Sequence, residues 1–481
     1  MVDRSISNHV ESNTGSSPAS PPCPAYLTWV CPFPSIRSPE AEGHSLKSKK
    51  SGRETLPGGE PLPAPRANPL RIFLPFAIGY FFSYLYRVVN AVIAPDLVAD
   101  LGLNSGDLGL LTSIYFLTFA AFQLPLGVLL DRFGSRKTEA CLLVFAAIGA
   151  LVFARAESVS GLIIGRALIG FGVSACLMAA FTAYVIWFPR ERLPFINGVQ
   201  VAVGGLGALM GTAPVESTLR ITDWRGVFTV LAVFTLAAAA TIFFVVPDRR
   251  VEGTGASLKD QLRGVVRVFT SPVFWRIAPW SVMSLGTFLA IQTLWAGPWL
   301  RDVTGFDRMN VAKGLLWIAA AMTIGVALLG AVAERLNRLG IKPLHVAVCG
   351  MSVFMVIQTL IILEWTSFTL LVWILFGFFG TTGVITYAFL SQSFPANFAG
   401  RVNTGLNLMV FVVAFGGQWG IGEVINLWPT TADGGYAPVA YQVGFGLMLA
   451  PQVISALWFM VAKKVGPKLD DLVKSKSQLN N

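Results

Sequence analysis

The 481-residue chain is too apolar and too poor in charge for a water-soluble protein. Hydrophobic residues make up 54% of it and charged residues only 13%, against about 25% charged in soluble domains. Its net charge of +10 comes mainly from Lys and Arg in short loops between apolar runs, a membrane-protein pattern that requires no nucleic-acid partner. The five cysteines and three histidines show no metal-binding or disulfide spacing, so we expect no metal and no cofactor.

Residues 1–69 are rich in Ser, Pro, Gly and Glu and lack a sustained apolar period. We predict a disordered N-terminal tail without a cleaved signal peptide. Twelve apolar stretches follow, each long enough to cross a hydrocarbon core of about 30 Å as a helix. They cover residues 70–97, 107–130, 138–155, 160–187, 195–219, 225–247, 273–300, 311–333, 343–363, 368–393, 402–427 and 438–461.

The loops divide these stretches into two groups of six. The polar segment 248–272 is the longest connection on its side of the membrane, so we predict a linker between an N-terminal bundle (70–247) and a C-terminal bundle (273–463). The loops on the side of the N-terminus carry most of the Lys and Arg, which places both termini, including the tail 464–481, in the cytoplasm. We expect a multi-pass protein of the cell inner membrane.

Two local patterns recur in the two groups. Asp131-Arg132 after the second span matches Glu334-Arg335 after the eighth, 203 residues later. A proline lies eight residues before Asn197, and another proline lies eight residues before Asn403; the two asparagines are 206 residues apart. The similar offsets indicate duplicated halves, and a site between two such halves can open to either side of the membrane by rocking, which is alternating access.

The loop after the second span combines an acid, basic residues and two glycines at fixed spacing. Basic residues alone would be explained by a cytoplasmic location, but the acid and the glycines would not. We therefore predict a conformational latch, in which glycine allows close helix approach and the acid accepts hydrogen bonds from the neighbouring bundle. Its residues are Gly127, Asp131, Arg132, Gly134, Arg136 and Lys137, with Glu334 and Arg335 as the counterpart in the second half.

This loop resembles the signature G-x-x-x-D-R-x-G-R-[KR] between helices two and three of the major facilitator superfamily. Gly165-Arg166, followed by spaced glycines, resembles a second signature of that superfamily in helix four. The resemblance covers residues 70–463 and implies an all-α integral membrane protein with twelve transmembrane helices in two pseudo-symmetric six-helix bundles around a central cavity. The fifth span has Thr212-Ala213 before Pro214 where the antiporter signature ends in Gly-Pro, which argues against drug/proton antiport.

Arg87 lies well inside the first apolar stretch, where a charge is costly and marks a functional site by default. Asn90 shares its helical face, and Tyr84 lies nearby. The stretch 84–90 resembles bacterial organic-anion:cation symporters, which carry an Asp-Arg pair there; Tyr86 replaces the acid. We expect Arg87 to contact an anionic solute, and the alternative is a structural pairing with another helix.

Arg166 matches the helix-four arginine that the superfamily resemblance links to coupling or packing, with snorkelling to the outer interface as the rival reading. Polar and aromatic residues inside other spans are candidates for the cavity wall, and helix-to-helix bonding is the alternative fate of each. Together with Arg87, Asn90 and Tyr84, the predicted solute-binding set contains Gln123, Gln292, Trp295, Tyr387, Asn403 and Asn407. No carboxylate is expected in the middle of the membrane, so the pattern indicates no proton carrier.

We therefore expect a secondary active transporter that takes up an organic anion, or an aromatic or vitamin-like metabolite, by symport with a proton or sodium. The expected partners are this small solute, the coupling ion and the lipid bilayer, and the protein is expected to function as a monomer. Efflux by proton antiport is the main alternative. A membrane enzyme is disfavoured because no nucleophile-and-base or metal cluster is present, and a transporter-like sensor because it would need a further soluble domain.

Overall fold

The computed structural model describes residues 68–189, 192–248, 258–394, 398–431 and 433–462, and over these ranges the backbone is nearly all helical. The predicted tails 1–69 and 464–481 therefore lie almost wholly or wholly outside the described residues. Ten helices in the described ranges are long and apolar enough to cross a membrane. Two features of the chain raise this number of spans to twelve.

The first feature is a 50-residue helix, Ser105–Ala154, which contains two spans. At 1.5 Å per residue it would be about 75 Å long, more than twice the thickness of the hydrocarbon core. Gly134 interrupts it with φ 79° and ψ 164°, a conformation that glycine adopts without steric cost. Residues 105–133 are the second span and residues 135–154 the third.

The second feature is a helix pair, Pro69–Val88 and Asn90–Leu101, that bends by 48° and forms one broken first span. Pro95 lies inside the second piece, where it lacks an N–H and its ring crowds the carbonyl of residue 91. The sequence-based prediction of twelve spans is thus confirmed. The fourth to twelfth spans are Val159–Trp187, Phe195–Thr218, Trp224–Val245, Pro272–Asp302, Arg308–Arg338, Pro343–Ile362, Thr366–Gln392, Gly400–Ile425 and Pro438–Ala462.

The predicted linker 248–272 contains an additional helix, Leu258–Phe269, where the sequence was interpreted only as a polar connection. Gly264 of this helix lies against the side chain of Arg401, at the start of the eleventh span. Residues 249–257 of the linker lie outside the described residues, and the predicted boundaries of the two bundles stay predictions.

Small residues let the spans pack closely within each half. In the N-terminal half Gly165 of the fourth span lies against the backbone of Phe153 of the third. In the C-terminal half Gly325 of the eighth span meets Phe378 of the tenth, and Gly377 of the tenth meets Ile318 of the eighth. Such contacts replace the hydrophobic driving force, which is absent between helices that are already in lipid.

The two halves are joined at the predicted outer side. Arg308, at the start of the eighth span, donates to Asp96 of the first span over 2.7 Å and approaches Glu216 of the fifth span to 2.8 Å. Ser105 of the second span donates to the carbonyl of Gly422 of the eleventh over 3.0 Å. We call the ion-pair cluster of Arg308, Asp96 and Glu216 the outer cluster.

A cavity of about 210 Å³ lies next to the outer cluster, lined by residues of both halves, including Glu216, Arg308 and Tyr436. Burial raises the pKa of Tyr436, in the loop before the twelfth span, to about 12, so this phenol stays neutral. At the predicted inner side, by contrast, no ion pair between the described residues joins the halves. The structure is therefore a conformation closed at the predicted outer side.

Candidate functional site

Arg87 is buried in the first span, with only 7% of its surface exposed, beside an aromatic wall. Its guanidinium carbon lies 4.4 Å from the ring centroid of Tyr84 and 5.5 to 5.9 Å from those of Tyr115, Phe119 and Phe411. These rings provide cation–π attraction but no negative charge. None of the ion pairs among the described residues includes Arg87, and its Nε has no hydrogen-bond partner.

The Arg87 site lies at the junction of the two halves. Phe411 belongs to the eleventh span, and its ring packs 4.7 Å from Phe119 and 5.7 Å from Phe116, both in the second span. A rocking movement of the halves therefore changes the surroundings of the guanidinium directly. This placement is the one that alternating access requires of a solute-binding charge.

Asn90 lies three residues beyond Arg87, just after the bend of the first span, and is fully buried. Its amide nitrogen donates to the Thr112 hydroxyl over 3.1 Å, while its amide oxygen has no partner. An unpaired buried amide oxygen is costly, so it is available to a donor group of a bound solute. Arg87, Asn90 and Tyr84 thus lie close to one bend in the first span.

Arg166 has no exposed surface, which excludes snorkelling to the membrane interface. Its Nη1 donates over 2.8 Å to the carbonyl of Tyr86, close to the bend of the first span. Its guanidinium also lies 5.2 Å from the ring centroid of Tyr115, the same ring that lies 5.9 Å from Arg87. Two buried arginines thus face one tyrosine, and neither has an ion-pair partner among the described side chains.

The remaining predicted cavity residues fall into separate groups. Tyr387 and Asn407 meet across the tenth and eleventh spans, with the hydroxyl 3.5 Å from the amide oxygen, and the amide oxygen of Asn403 has no partner. Gln292 lies in a π-helical turn, Ile291–Trp295, and is buried. No described hydrogen bond or ring contact links these residues to Arg87.

Two predicted cavity residues serve as bonds between helices in this conformation. Gln123 donates to the carbonyl of Ser174 over 3.2 Å, tying the second span to the fourth. Trp295 is fully buried and donates to the carbonyl of Gln418 over 2.9 Å, tying the seventh span to the eleventh. Bonding between helices is the alternative that their sequence positions left open for each of them.

One carboxylate that the sequence pattern did not single out, Glu139, lies inside the helix bundle. Glu139 of the third span is fully buried, and neither of its carboxyl oxygens has a hydrogen-bond partner. Its helix continues to the break at Gly134 and packs Glu139 against Gly79 of the first span.

The ion pairs and ring contacts that the described latch residues form lie within their own halves. Lys137 pairs with Asp248 at 3.3 Å, and Arg136 lies 5.0 Å from the ring of Phe243. Asp131 and Arg132 are exposed, and Asp131 has no ion pair among the described residues. In the second half, Glu334 pairs with Arg338 over 2.6 Å, and Arg335 is exposed. The latch function therefore stays a prediction.

This fold defines the class: an integral membrane protein of twelve spans with a buried charged site between its two halves. Residues 76–418 match the Major Facilitator Superfamily. Because this match covers more than half of the chain, the protein belongs to that superfamily and is a membrane transporter. The resemblance that the loop and helix-four signatures indicated is confirmed.

Three named relatives illustrate the range of the similarity. A probable sulfoacetate transporter (SauU) of Cupriavidus necator is 24% identical over 70% of this chain and 84% of its own length. A nitrite extrusion protein of Bacillus subtilis is 22% identical, over 54% of this chain and 64% of its own length. A probable nitrate/nitrite antiporter (NarK1) of Thermus thermophilus is 26% identical, over 51% of this chain and 57% of its own length.

Solved structures share the fold at low sequence identity. A bacterial homologue of the human lysosomal transporter Spinster, in an inward-facing and occupied conformation, superposes with a TM-score of 0.65 at 17% identity, over 84% of this chain and 99% of its own. A mutant of the nucleoside transporter NupG superposes with a TM-score of 0.65 at 15% identity, over 81% of this chain and 99% of its own. These likenesses establish the major facilitator fold.

Proposed function

We propose that this transporter takes up a small organic anion by symport with a cation. The observation that carries the proposal is Arg87, a buried guanidinium at the junction of the halves without a carboxylate partner among the described residues. A buried charge without a counter-charge is costly, and pairing offsets that cost. An anionic group of the solute supplies the missing counter-charge.

The neighbourhood of Arg87 favours a small solute that combines an anionic group with hydrogen-bonding or planar parts. Arg166 adds a second buried positive charge across the Tyr115 ring, Asn90 offers an unpaired amide oxygen, and Tyr84 offers a ring face. The named relatives above handle sulfoacetate, nitrate or nitrite, all of which are anions. We therefore propose the anionic group, rather than the rest of the solute, as the main determinant of recognition.

In the proposed cycle the two halves rock about the bound anion. The outer cluster closes the predicted outer side in the present conformation, and breaking it would open the site outward. The latch loop would perform the corresponding task at the inner side. Efflux is the second candidate, since two of the relatives are named as an extrusion protein and an antiporter.

A transport assay tests the proposed recognition of an anion. Purified protein in liposomes would be assayed for uptake of labelled sulfoacetate and labelled nitrate, with Arg87→Ala, Arg87→Lys and the exposed-site control Arg155→Ala. We expect Arg87→Ala to lose transport, because the counter-charge is gone, Arg87→Lys to retain part of it, and the control to match the wild type. Transport by Arg87→Ala at the wild-type rate, with normal expression, would contradict the proposal.

The same liposomes test direction and coupling. Uptake driven by an inward proton or sodium gradient, and abolished when that gradient is collapsed, is the expected result for symport. Anion movement that is driven only by an oppositely directed proton gradient would establish antiport instead. Uptake indifferent to both gradients would remove the symport claim while leaving anion recognition by Arg87 in place.

A further inference from the structure

Glu139 is a buried acid that the proposed anion site does not use. It has no exposed surface, and both carboxyl oxygens lack a hydrogen-bond partner. One of them lies so close to Gly79 that a methyl group at that glycine would meet it at about 2.5 Å. The first span, which carries Arg87, therefore packs directly on this carboxyl group.

No positive charge among the described residues compensates for Glu139. The basic residues at the start of the third span have other partners: Arg136 lies over the ring of Phe243, and Lys137 pairs with Asp248. Within the described ranges, no Lys or Arg forms an ion pair with Glu139. A buried carboxylate without a cation partner is strongly disfavoured relative to the neutral acid.

The titratable groups that face Glu139 come from the fourth span. Cys176 of the fourth span lies within interaction distance of the carboxyl group, and Tyr184, about two turns further along the fourth span, also lies within electrostatic range. Cys176 lies in turn within range of Tyr80 and of Arg87 in the first span. The sixth span contributes only apolar contact here, through Ile242 beside Gly79.

The first span connects Glu139 to the anion site, because Glu139 packs on Gly79 and Arg87 lies about two turns further along the same helix. With Glu139 ionised, the core of the N-terminal half holds two guanidinium charges and one carboxylate. Binding a proton to Glu139 removes the carboxylate charge and leaves the two guanidinium charges for the solute. A proton bound there therefore strengthens binding of an anion, and by reciprocity the anion strengthens binding of the proton.

We propose that Glu139 is the proton-binding group that couples anion transport to protons. One carboxyl oxygen takes up a proton from water on one side of the membrane and releases it as a hydrated proton on the other, with no other bond made or broken. The proposal rests on the proposed anion transport. It specifies the coupling ion, which the anion site alone leaves open.

The proton site is tested first without any solute. Purified protein in lipid would be titrated by infrared spectroscopy, following the carbonyl stretch of protonated carboxylic acids in the wild type, in Glu139→Gln and in the exposed control Glu157→Gln. We expect a band present at neutral pH that is absent in Glu139→Gln and unchanged in Glu157→Gln. A spectrum of Glu139→Gln identical to that of the wild type would overturn the proton site.

Coupling is tested with sulfoacetate and nitrate as probes in liposomes. Glutamine mimics the protonated acid, so we expect Glu139→Gln to lose proton-driven accumulation but to keep exchange of labelled for unlabelled probe. We also expect the wild-type affinity for the probe to fall about tenfold or more as the pH rises, a coupling typical of two linked sites, and the affinity of Glu139→Gln to be independent of pH. Retained proton-driven accumulation in Glu139→Gln would overturn the proposal.

The outcomes separate failure of this inference from failure of the proposed function. If the wild type carries neither probe, anion transport fails for these anions, and the infrared titration alone decides whether Glu139 holds a proton. If the wild type carries a probe without any dependence on protons, anion transport stands and the coupling role of Glu139 falls. Loss of exchange as well as accumulation in a folded Glu139→Gln assigns Glu139 a structural role and overturns the coupling role.

Discussion

At the scale of single residues, the proposed function of this transporter depends on charges that are buried without counter-charges. Arg87, Arg166 and Glu139 all lie inside the N-terminal half, and no ion pair among the described residues joins any two of them. Such groups are costly to maintain, and polar residues inside membranes by default mark functional sites. Their arrangement separates an anion site from a proposed proton site while keeping both in one helix bundle.

Arg166 provides the residue-scale prediction, because its contact with the Tyr86 carbonyl supports the bend of the first span. Arg166→Ala leaves that carbonyl, which is buried, without its donor, at a cost of about 1 to 3 kcal/mol. We expect a lower thermal unfolding temperature of the purified protein together with weaker anion binding, while Arg166→Lys recovers part of both. Arg155→Ala removes an exposed arginine and serves as the control; equal stability of Arg166→Ala and this control would contradict the role.

At the scale of elements, glycine contacts and helix breaks determine where the functional side chains lie. The break at Val89 bends the first span by 48°, so that Arg87 and Asn90 lie on either side of it. Gly134 separates the second and third spans and so starts the helix that carries Glu139. These local features are readable from the sequence, although the direction in which they turn the side chains is not.

The contact between the third and fourth spans is an element-scale prediction. Gly172 lies against Ala146, and an added methyl group would also meet the carbonyl of Leu142 at 2.6 Å. Since backbone atoms cannot give way as a flexible side chain can, Gly172→Ala is expected to lower the free energy of unfolding by about 1 to 3 kcal/mol. Gly416→Ala is the matched control, because an added methyl group there meets nothing within 4 Å.

Thermal unfolding of the two purified glycine variants measures this difference. We expect a lower midpoint for Gly172→Ala and a midpoint at or slightly above that of the wild type for Gly416→Ala, since alanine favours a helix. Equal midpoints for the two variants would mean that the third and fourth spans are not packed as described.

At the scale of the whole molecule, the outer cluster holds the conformation closed at the predicted outer side. Arg308 connects the eighth span to Asp96 of the first and Glu216 of the fifth, so it joins the two halves. Its counterpart for comparison is Arg225, which pairs with Asp100 inside the N-terminal half. Removal of Arg308 should therefore affect the relative populations of the open and closed states, whereas removal of Arg225 should not.

This prediction is measured by labelling a cysteine placed in the outer cavity. Val98→Cys reports access from the predicted outer side to a maleimide that does not cross membranes. We expect Arg308→Ala to increase the labelling rate of this cysteine several-fold. The reason is that the closed state would lose about 1 to 2 kcal/mol of stabilisation, which raises the population of the open state several-fold or more. We expect Arg225→Ala to leave the labelling rate unchanged. The background carries serine at the four other cysteines that are exposed or undescribed: Cys23, Cys31, Cys141 and Cys349.

An unchanged labelling rate in Arg308→Ala would show that the outer cluster does not control closure. An equal increase in Arg225→Ala would show that the rate follows surface charge rather than contact between the halves.

Hydropathy and short motifs were sufficient to predict the twelve spans and the superfamily, whereas the duplication and the solute contact of Arg87 stay predictions. These signals act locally, and the cost of an exposed backbone in lipid leaves only the helix for each span. The rotation of each helix and its partners depend instead on packing between residues far apart in the chain, which no local pattern encodes. For that reason the inward turn of Arg166 to Tyr86, the enclosure of Glu139 without a partner, and the contact of Arg308 with Asp96 and Glu216 emerged from the folded arrangement alone.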